Sequence, residues 1–228
     1  MSRSRVLVPA TMTGRELARR RVALGLLTIP PLAFYGGQAH HSSHAAITGG
    51  VAMAFSTAGA SIFAALTARR VDERLVLAGY RPWQLLIGRL LVLEMFGLAV
   101  AAVFSAVMVA GTGPADAWAL VAGVLLVALS SVPFGLAVGS LVPQELEGVL
   151  ILIGVVGIQL TAESTQTIAK VLPFWGAQRL LHHAIDPTIT IGAAIPVELL
   201  YATGLLTAAA YLVKRRAPGL RTTRASSG

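Results

Sequence analysis

The sequence predicts an all-α integral membrane protein with six transmembrane helices and both termini in the cytoplasm. Of the 228 residues, 55% are hydrophobic and only 12% are charged, and the mean hydropathy is +0.74. A water-soluble domain carries about 25% charged residues, so this composition argues against a soluble enzyme. The apolar residues are gathered into six segments. Most basic residues lie in the two tails and in the segment between the second and third apolar segments. These observations together predict the fold class.

The six apolar segments are candidate membrane spans, because a helix needs ~20 apolar residues to cross a bilayer core. They cover residues 22–36, 45–68, 90–110, 117–142, 148–162 and 189–213. Lipid offers no hydrogen-bond partner to the backbone, so each span is expected to be helical. The first segment contains Pro30 and Pro31 and is not followed by a small-residue cleavage pattern. We therefore expect it to stay in the chain.

The spans define one transmembrane domain, residues 22–213, with a tail on each side. Residues 1–21 are predicted to be a cytoplasmic tail with an interfacial helix, and residues 214–228 a basic cytoplasmic tail. The pattern Thr-Gly-Arg-Glu at residues 13–16 is a capping box, which is typical of a helix start. The arginines that follow would lie on lipid headgroups, although a solvated tail fits the pattern equally well.

Arginine and lysine are divided unevenly between the two sets of loops. Cytoplasmic loops carry the excess of these residues, so their count predicts orientation. With six spans, residues 1–21, 69–89 and 214–228 lie on one side and hold 16 of the 18 basic residues. The opposite loops hold only Lys170 and Arg179. Both termini are therefore predicted to be cytoplasmic, and the lipid bilayer explains the net charge of +8 without a nucleic-acid partner.

The segment between the second and third spans is dense in charge and includes Asp72, Glu73 and Arg74. Good helix formers precede Gly79, a residue type that commonly follows the end of a helix. Pro82 cannot continue that helix. The pattern predicts a short amphipathic cytoplasmic helix between spans 2 and 3. Such a helix fits a docking site for a soluble partner, but from the composition alone we favour a charged loop that only sets the topology.

The stretch from residue 69 to residue 91 resembles the first cytoplasmic loop of ABC-2 type transporter permeases. Members of that family carry a charged cluster with a glutamate, then a Pro, then Leu-Leu-x-Gly-[Lys/Arg]-Leu at the start of the third span. Residues 85–90 read Leu-Leu-Ile-Gly-Arg-Leu. Residues 134–143, Phe-Gly-Leu-Ala-Val-Gly-Ser-Leu-Val-Pro, are similar to the end of the family's fourth span. The outer segment with Leu-Pro-Phe-Trp at residues 172–175 resembles the half-helices before its sixth span.

This resemblance implies the permease subunit of a bacterial ABC exporter, located in the plasma membrane. The chain would form half of the pathway for an apolar or amphiphilic substrate, such as a drug, antibiotic or lipid, as in multidrug efflux and antibiotic resistance. The implied partners are a P-loop ATP-binding subunit, which would hold ATP and Mg, and a second permease chain, either a copy or a paralogue. In the family the first cytoplasmic loop couples to the ATPase, which implies that role for Asp72, Glu73 and Arg74.

Two further carboxylates, Glu145 and Glu147, follow the fourth span on the predicted basic side. They fit a second contact with the ATPase, and they equally fit pairing with arginines of this chain. The chain itself is not predicted to be an enzyme. A P-loop needs Gly-Lys-[Ser/Thr], whereas Val follows Lys170 and Arg follows Lys214. No cofactor is expected in this chain, and it contains no Cys.

Glu94 and Glu198 are the carboxylates that fall inside predicted spans. A charge in hydrocarbon is costly, so each should face protein or water, and both are candidates for the substrate pathway. Glu94 also fits a structural pairing with a basic residue near the membrane interface. Glu198 has no basic residue near it in the sequence, which favours a functional role.

The predicted outer loops support an alternative function. They contain five histidines: His40, His41, His44, His182 and His183. Imidazoles at such spacings bind Zn or Cu, so the alternative is a self-sufficient secondary or metal transporter that uses these histidines and Glu198. We favour a polar outer loop, because no cysteine accompanies the histidines, and we predict no metal site.

Overall fold

The structure is a computed structural model, and it describes residue 11 and residues 14–15, 21–38, 44–162 and 167–216. The regular structure in these ranges is entirely helical, which confirms the all-α class for this part of the chain. The predicted capping box and the C-terminal tail fall largely outside it. The described helices are α1 (Arg21–Gln38), α2 (Ala45–Ala52), α3 (Ala54–Leu77), α4 (Pro82–Thr112), α5 (Ala117–Leu141), α6 (Glu145–Thr161), α7 (Thr167–Val171), α8 (Trp175–Ile185) and α9 (Ala194–Arg216).

Four stretches of the described chain are long and apolar enough to cross a membrane: Ala45–Arg69, Pro82–Thr112, Ala117–Leu141 and Ala194–Arg215. The first of these joins α2 and α3, because Met53 between them keeps helical backbone angles. Helices α1 and α6 have 18 and 17 residues. At 1.5 Å per residue they are about 27 and 25 Å long, slightly less than the bilayer core of about 30 Å. The chain is therefore a multi-helix membrane protein, while the count of six spans stays a prediction.

The prediction of a separate short helix between spans 2 and 3 is wrong. Residues 69–77 are the last part of α3, which runs without interruption from Ala54 to Leu77. The sequence contains no Gly or Pro between residues 60 and 77. Because Arg, Glu and Leu are good helix formers, the change from apolar to charged residues does not end the helix.

Helix α3 ends where the sequence predicts, at Gly79. The backbone φ of Gly79 is +93°, and its N–H donates to the Val76 carbonyl at 3.0 Å. The Tyr80 N–H donates to the Leu75 carbonyl, also at 3.0 Å. These two bonds form a Schellman motif, which satisfies the last carbonyls of α3. Helix α4 then begins at Pro82, whose fixed φ suits the first position of a helix.

The last helix begins at Ala194, five residues later than the predicted span. The chain before it forms turns, in which the Asp186 carboxylate accepts hydrogen bonds from the Thr188 N–H at 3.0 Å and the Thr188 hydroxyl at 2.6 Å. Gly192 follows with φ of +53°. The apolar residues in this turn extended the predicted span beyond the helix, because hydropathy alone does not detect turn geometry.

Helix α5 lies at the centre of the bundle and packs against α3, α4, α8 and α9. Two glycines allow its backbone to approach α3. A Cβ added to Gly139 would lie 2.7 Å from the Ala65 Cβ, and one added to Gly135 would collide with the Ala58 carbonyl. Such close contact between small residues gives van der Waals packing in lipid, where burial of apolar surface does not drive helices together.

Helices α4 and α9 are much less buried than α5. In the 18-residue apolar stretch of each helix, 28% of α4 and 11% of α9 is buried inside the protein, compared with 72% of α5. Large apolar side chains such as Met95 and Leu200 are each 73% exposed. Apolar surfaces of this extent are normally covered by lipid or by another protein.

Helix α8 lies at the end of the bundle opposite the α3–α4 turn. Its Leu181 side chain fills a space beside two glycines. A Cβ on Gly50 of α2 would lie 2.7 Å from Leu181 Cδ1, and a Cβ on Gly123 of α5 would lie 3.0 Å from the same side chain. The prediction of a partly helical segment before the last span is confirmed by α7 and α8.

Candidate coupling site and substrate pathway

The turn between α3 and α4 is closed by an ion pair between Asp72 and Arg89. Arg89 Nη2 lies 2.8 Å from each oxygen of the Asp72 carboxylate. The Arg89 side chain is only 6% exposed, and the Asp72 side chain is 23% exposed. Of the three residues predicted at the coupling site, Asp72 is therefore engaged within the chain.

Glu73 and Arg74 differ from Asp72, because both are exposed. The described part of the chain provides neither with a hydrogen bond or an ion pair. Leu77, one turn further along α3, is 57% exposed. The tip of α3 thus presents one acidic, one basic and one apolar side chain to the surroundings, a combination that suits contact with a protein surface.

Arg69 joins the end of α3 to the end of α5. Its Nη2 donates to the Gly139 carbonyl at 2.5 Å and to the Val142 carbonyl, and its Nη1 lies 3.5 Å from the Pro143 carbonyl. The last carbonyls of a helix have no partner within the helix, and a cation near them also interacts favourably with the helix dipole. Arg69 therefore caps α5 and holds the short loop that leads into α6.

Glu145 and Glu147 lie in the first turn of α6, directly after that loop. Both are exposed, and the described residues give neither an ion pair, so pairing with arginines of this part of the chain is not observed. Carboxylates are favourable in the first turn of a helix, where the dipole is positive. The structure places them at the same end of the bundle as Glu73, as the sequence predicts.

An open cleft lies beside the Asp72–Arg89 pair, between α3, α4, α5 and α9. It encloses about 680 Å³ of empty space, including solvent at its mouth. Its lining includes the charged residue Glu73, the hydroxyl of Ser140 and the apolar side chain of Val213. Two of the predicted coupling residues, Asp72 and Glu73, therefore lie at this cleft.

Glu94 lies on α4, five residues after Arg89, and is half-buried. Its Oε2 is buried and has no hydrogen-bond partner among the described residues. Arg89 gives its Nη2 hydrogen bonds to Asp72 instead. A buried carboxylate oxygen without a partner is unusual in a native protein, and Glu94 accordingly stays a candidate for the substrate pathway.

Glu198 lies on α9 and is only 1% exposed. Its Oε2 accepts hydrogen bonds from the backbone N–H groups of Gly176 at 3.0 Å and Ala177 at 3.3 Å. Its Oε1 accepts a hydrogen bond from the Ser130 hydroxyl. The carboxylate thus contacts α5 and the first turn of α8.

The histidines form pairs at the α8 end of the bundle. The rings of His44 and His182 lie edge to face with centroids 6.5 Å apart. Nε2 of His183 lies 3.6 Å from Asp116, and its Nδ1 lies 2.6 Å from the Ile189 carbonyl. Within the described residues, no three metal-binding side chains come together. The predicted cluster also includes residues 40 and 41, which lie outside the described part of the chain.

Burial lowers the pKa of His182, and the nearby charges of His44 and Arg179 lower it further. The neutral imidazole is therefore the form favoured at this position. The hydrogen bonds from the Thr188 hydroxyl and N–H likewise lower the pKa of Asp186, which holds that carboxylate in its ionised form.

Sequence reasoning assigned no site role to Arg69, Ser130 or Gln178. Arg69 counted only toward orientation, whereas the structure uses it to cap α5. Ser130 and Gln178 make buried contacts with Glu198 and Gln159 respectively. Their signal in the sequence is a polar side chain in an apolar helix, which does not specify a partner before the helices are packed.

The fold and the α3–α4 turn define a class of protein, a helical membrane protein with a charged turn at one end of its bundle. A family model described as "ABC-2 family transporter protein" matches residues 27–212. The chain therefore belongs to the ABC-2 family of transporter proteins, as its resemblance implied. Members of this family are the membrane subunits of ABC transporters, and not the ATPase itself. None of the curated proteins compared with the chain matches it.

Proposed function

We propose that this ABC-2 permease forms half of the export pathway of a bacterial ATP-driven transporter. ATP and Mg bind to a separate P-loop subunit, and a second permease chain, either a copy or a paralogue, completes the pathway. The substrate is an apolar or amphiphilic molecule such as a drug, antibiotic or lipid. The observation that carries this proposal is the α3–α4 turn, which is held rigidly from within and exposes Glu73 and Arg74.

The Asp72–Arg89 pair and the Arg69 cap explain how a force that the ATPase exerts on this turn would be transmitted to the helices in the membrane. The first joins α3 to α4, and the second joins α3 to the end of α5. A force applied to the turn therefore acts on three helices that pack along their length. In this arrangement Asp72 and Arg69 hold the turn together, whereas Glu73, Arg74, Glu145 and Glu147 face the ATPase.

The orientation follows from the distribution of basic residues. We propose six spans, with α1 and α6 added to the four stretches that are long enough by themselves. Both termini and the α3–α4 turn then lie in the cytoplasm of the bacterial cell, and α8 lies outside. Helices slightly shorter than the bilayer core are accommodated by local thinning of the membrane.

The exposed faces of α4 and α9 support the need for a second permease chain. These helices carry apolar side chains with little cover in a single chain. Lipid covers part of that surface, and the second chain covers the rest, with the substrate passing between the two. Glu94, whose buried Oε2 has no hydrogen-bond partner among the described residues, is the candidate for contact with substrate or water along that path.

A mild-detergent purification of the tagged chain from its native membrane tests the proposal. We expect a P-loop ATPase to be recovered in about equal amount, and a second permease band would distinguish a heterodimer from a homodimer. Recovery of the chain alone, under conditions that keep a control ABC complex intact, would overturn the proposal. That result would favour a self-sufficient transporter that uses the outer histidines.

The same purification tests the coupling residues. Glu73→Lys, combined with Arg74→Glu, should lower the ratio of ATPase to permease by about tenfold, because both exposed charges are reversed. Asp186→Lys is the matched control, since it reverses an exposed charge at the opposite end of the bundle. An unchanged ratio in the Glu73/Arg74 variant would remove the turn from the interface without affecting the family assignment.

A further inference from the structure

Glu198 is a buried carboxylate on a helix that is otherwise largely apolar. It accepts hydrogen bonds from two backbone N–H groups of α8, those of Gly176 and Ala177, and from the hydroxyl of Ser130 on α5. One side chain of α9 therefore joins three helices. With 1% of its surface exposed, it is not open to a ligand in this conformation.

The two N–H groups belong to the first turn of α8, where backbone donors have no partner within the helix. A side chain of the preceding residue usually caps such donors, but Phe174 occupies that position and provides no side-chain acceptor. The Glu198 carboxylate takes over this role from another helix. Its negative charge also suits the positive end of the helix dipole, and charge-assisted hydrogen bonds are stronger than neutral ones.

Phe174, the residue before α8, has an unusual backbone conformation. Its φ of 77° makes it the one non-glycine residue of the described chain in the left-handed region. Such a conformation persists only where the surroundings determine it. Phe174 is fully buried and packs edge to face on Phe134 of α5, with ring centroids 5.8 Å apart. The start of α8 is thus both strained and tightly held.

Other contacts hold α8 beside the carboxylate. Gln178 Nε2 donates to the carbonyls of Gln159 and Ala162, each at 3.2 Å, and Gln159 Nε2 donates to Gln178 Oε1. The absence of a side chain at Gly176 makes room for Glu198, because a Cβ on residue 176 would lie 2.9 Å from the Glu198 Cβ. Glu198 is the ionisable member of this set, and the only one that reaches the backbone donors at the helix start.

We propose that Glu198 is a positioning residue whose carboxylate caps α8 and holds it on the bundle, so that Glu198 influences transport through α8 and not by contact with substrate. Its role in transport rests on the proposed function. The attachment of α8 itself does not, and it can be tested on the chain alone.

The absence of Cys from the sequence allows a direct test of this attachment. Ala184 on α8 is fully buried, so an Ala184→Cys reporter should react slowly with a water-soluble maleimide in the purified full-length chain. Adding Glu198→Gln should speed labelling about tenfold, which corresponds to about 1.4 kcal/mol. Glu198→Ala, which removes all three hydrogen bonds, should have a larger effect, and Ser130→Ala a smaller one.

Two controls separate this local release from general destabilisation. Ala101→Cys on α4, also fully buried, reports on unfolding of the bundle and should label at the same rate with or without Glu198→Gln. Glu94→Gln makes the same chemical change on α4 and should leave the Ala184→Cys rate unchanged. Equal labelling of Ala184→Cys with Glu198 and with Gln at position 198 would overturn the proposal. Faster labelling of both reporters would overturn it too, because Glu198 would then support the whole fold.

The test separates the positioning role from the permease assignment. Labelling with a membrane-impermeant maleimide in intact cells reports in addition whether α8 faces outward. If the reporter reacts only from the cytoplasmic side, the proposed orientation fails while the attachment of α8 by Glu198 stands. Conversely, loss of the ATPase in the purification would leave the labelling result unaffected.

Discussion

Arg89 and Asp72 are separated by 17 residues and meet across the α3–α4 turn, where Arg89 Nη2 lies 2.8 Å from both carboxylate oxygens. The pair joins the C-terminal part of one long helix to the N-terminal part of the next. It therefore keeps the turn in one geometry while the neighbouring Glu73 and Arg74 stay exposed. Such a turn suits the proposed transmission of force from an ATPase, because the contacts that hold it lie within the chain.

Asp72→Asn should lower the free energy of unfolding by about 2 kcal/mol, between the values for surface and buried ion pairs. The reason is that Arg89 is almost fully buried and would lose its charged partner. Thermal unfolding of the detergent-solubilised chain measures this change. Glu73→Gln is the matched control, since Glu73 is exposed and its loss should change stability by less than about 0.5 kcal/mol.

A double-mutant cycle with Arg89→Gln isolates the interaction between the two side chains. The double variant should be more stable than the sum of the single losses predicts, because neither charge is then left alone. If the two single effects simply add, the ion pair contributes nothing to the turn, and the proposed rigidity of the α3–α4 connection is incorrect.

Arg69→Met should destabilise the chain by about 1–3 kcal/mol, because the last carbonyls of α5 would lose a charged donor. Arg69→Lys should recover part of the loss, since an ammonium retains the charge but cannot span several carbonyls at once. Thermal unfolding provides the measurement. Arg74→Met, which removes an exposed arginine from the same helix, should leave stability nearly unchanged; a loss as large as that of Arg69→Met would contradict the capping role.

Leu181→Ala should cost about 2–5 kcal/mol, the usual range for removal of a fully buried leucine. The Leu181 side chain fills the space beside Gly50 and Gly123, and neither glycine has a side chain that could occupy the resulting cavity. Thermal unfolding again reports the change. Leu200→Ala serves as the control, because Leu200 is 73% exposed and touches little of the chain; equal losses for the two variants would argue against this packing.

Acidification should weaken the contacts of α8 through His182. Its pKa is lowered in the folded chain by burial and by the charges of His44 and Arg179, so the folded state favours the neutral ring. The stability this provides is present above the ordinary pKa of 6.5 and is lost as the pH falls through the lower, folded-state value. We expect a lower unfolding temperature at pH 5.5 than at pH 7.5.

His182→Gln should reduce that difference, since glutamine does not titrate. His183→Gln is the comparison variant. It replaces the neighbouring histidine of α8, whose Nε2 lies 3.6 Å from the Asp116 carboxylate. If His182→Gln and the unmodified chain lose the same stability on acidification, His182 is not the group responsible.

Several elements of this fold were predictable because they depend on local residue patterns. The stop at Gly79 needed a residue that adopts positive φ, and Pro82 suits the start of α4 because the first N–H of a helix has no partner within it. The predicted short helix failed for the opposite reason. A change from apolar to charged residues indicates a change of surroundings, and α3 continues through it because its backbone hydrogen bonds do not depend on what its side chains face.

The candidate site also has features that the sequence indicated and features that only helix packing determined. The sequence indicated that Asp72, Glu73 and Arg74 form a charged cluster, but it could not distinguish the residue that pairs internally from those that stay exposed. That distinction depends on Arg89 and on the rotation of α3 against α4, which only packing determines. Glu198 was likewise recognisable as an unusual carboxylate, while its partners on α5 and α8 lie 68 and about 20 residues away in the chain.

By itself, the sequence determined that this is a helical membrane protein, because apolar spans, helix stops and charged loops depend on consecutive residues. Its transporter class followed from the resemblance to the ABC-2 family, and the pattern of apolar and charged residues did not supply it. The tertiary structure alone decided which charges are free to meet a partner. Arg69, Asp72 and Arg89 serve the fold, and Glu73 and Arg74 do not, because a charge in a low-dielectric bundle must find its partner in whichever helix packing brings within hydrogen-bond distance.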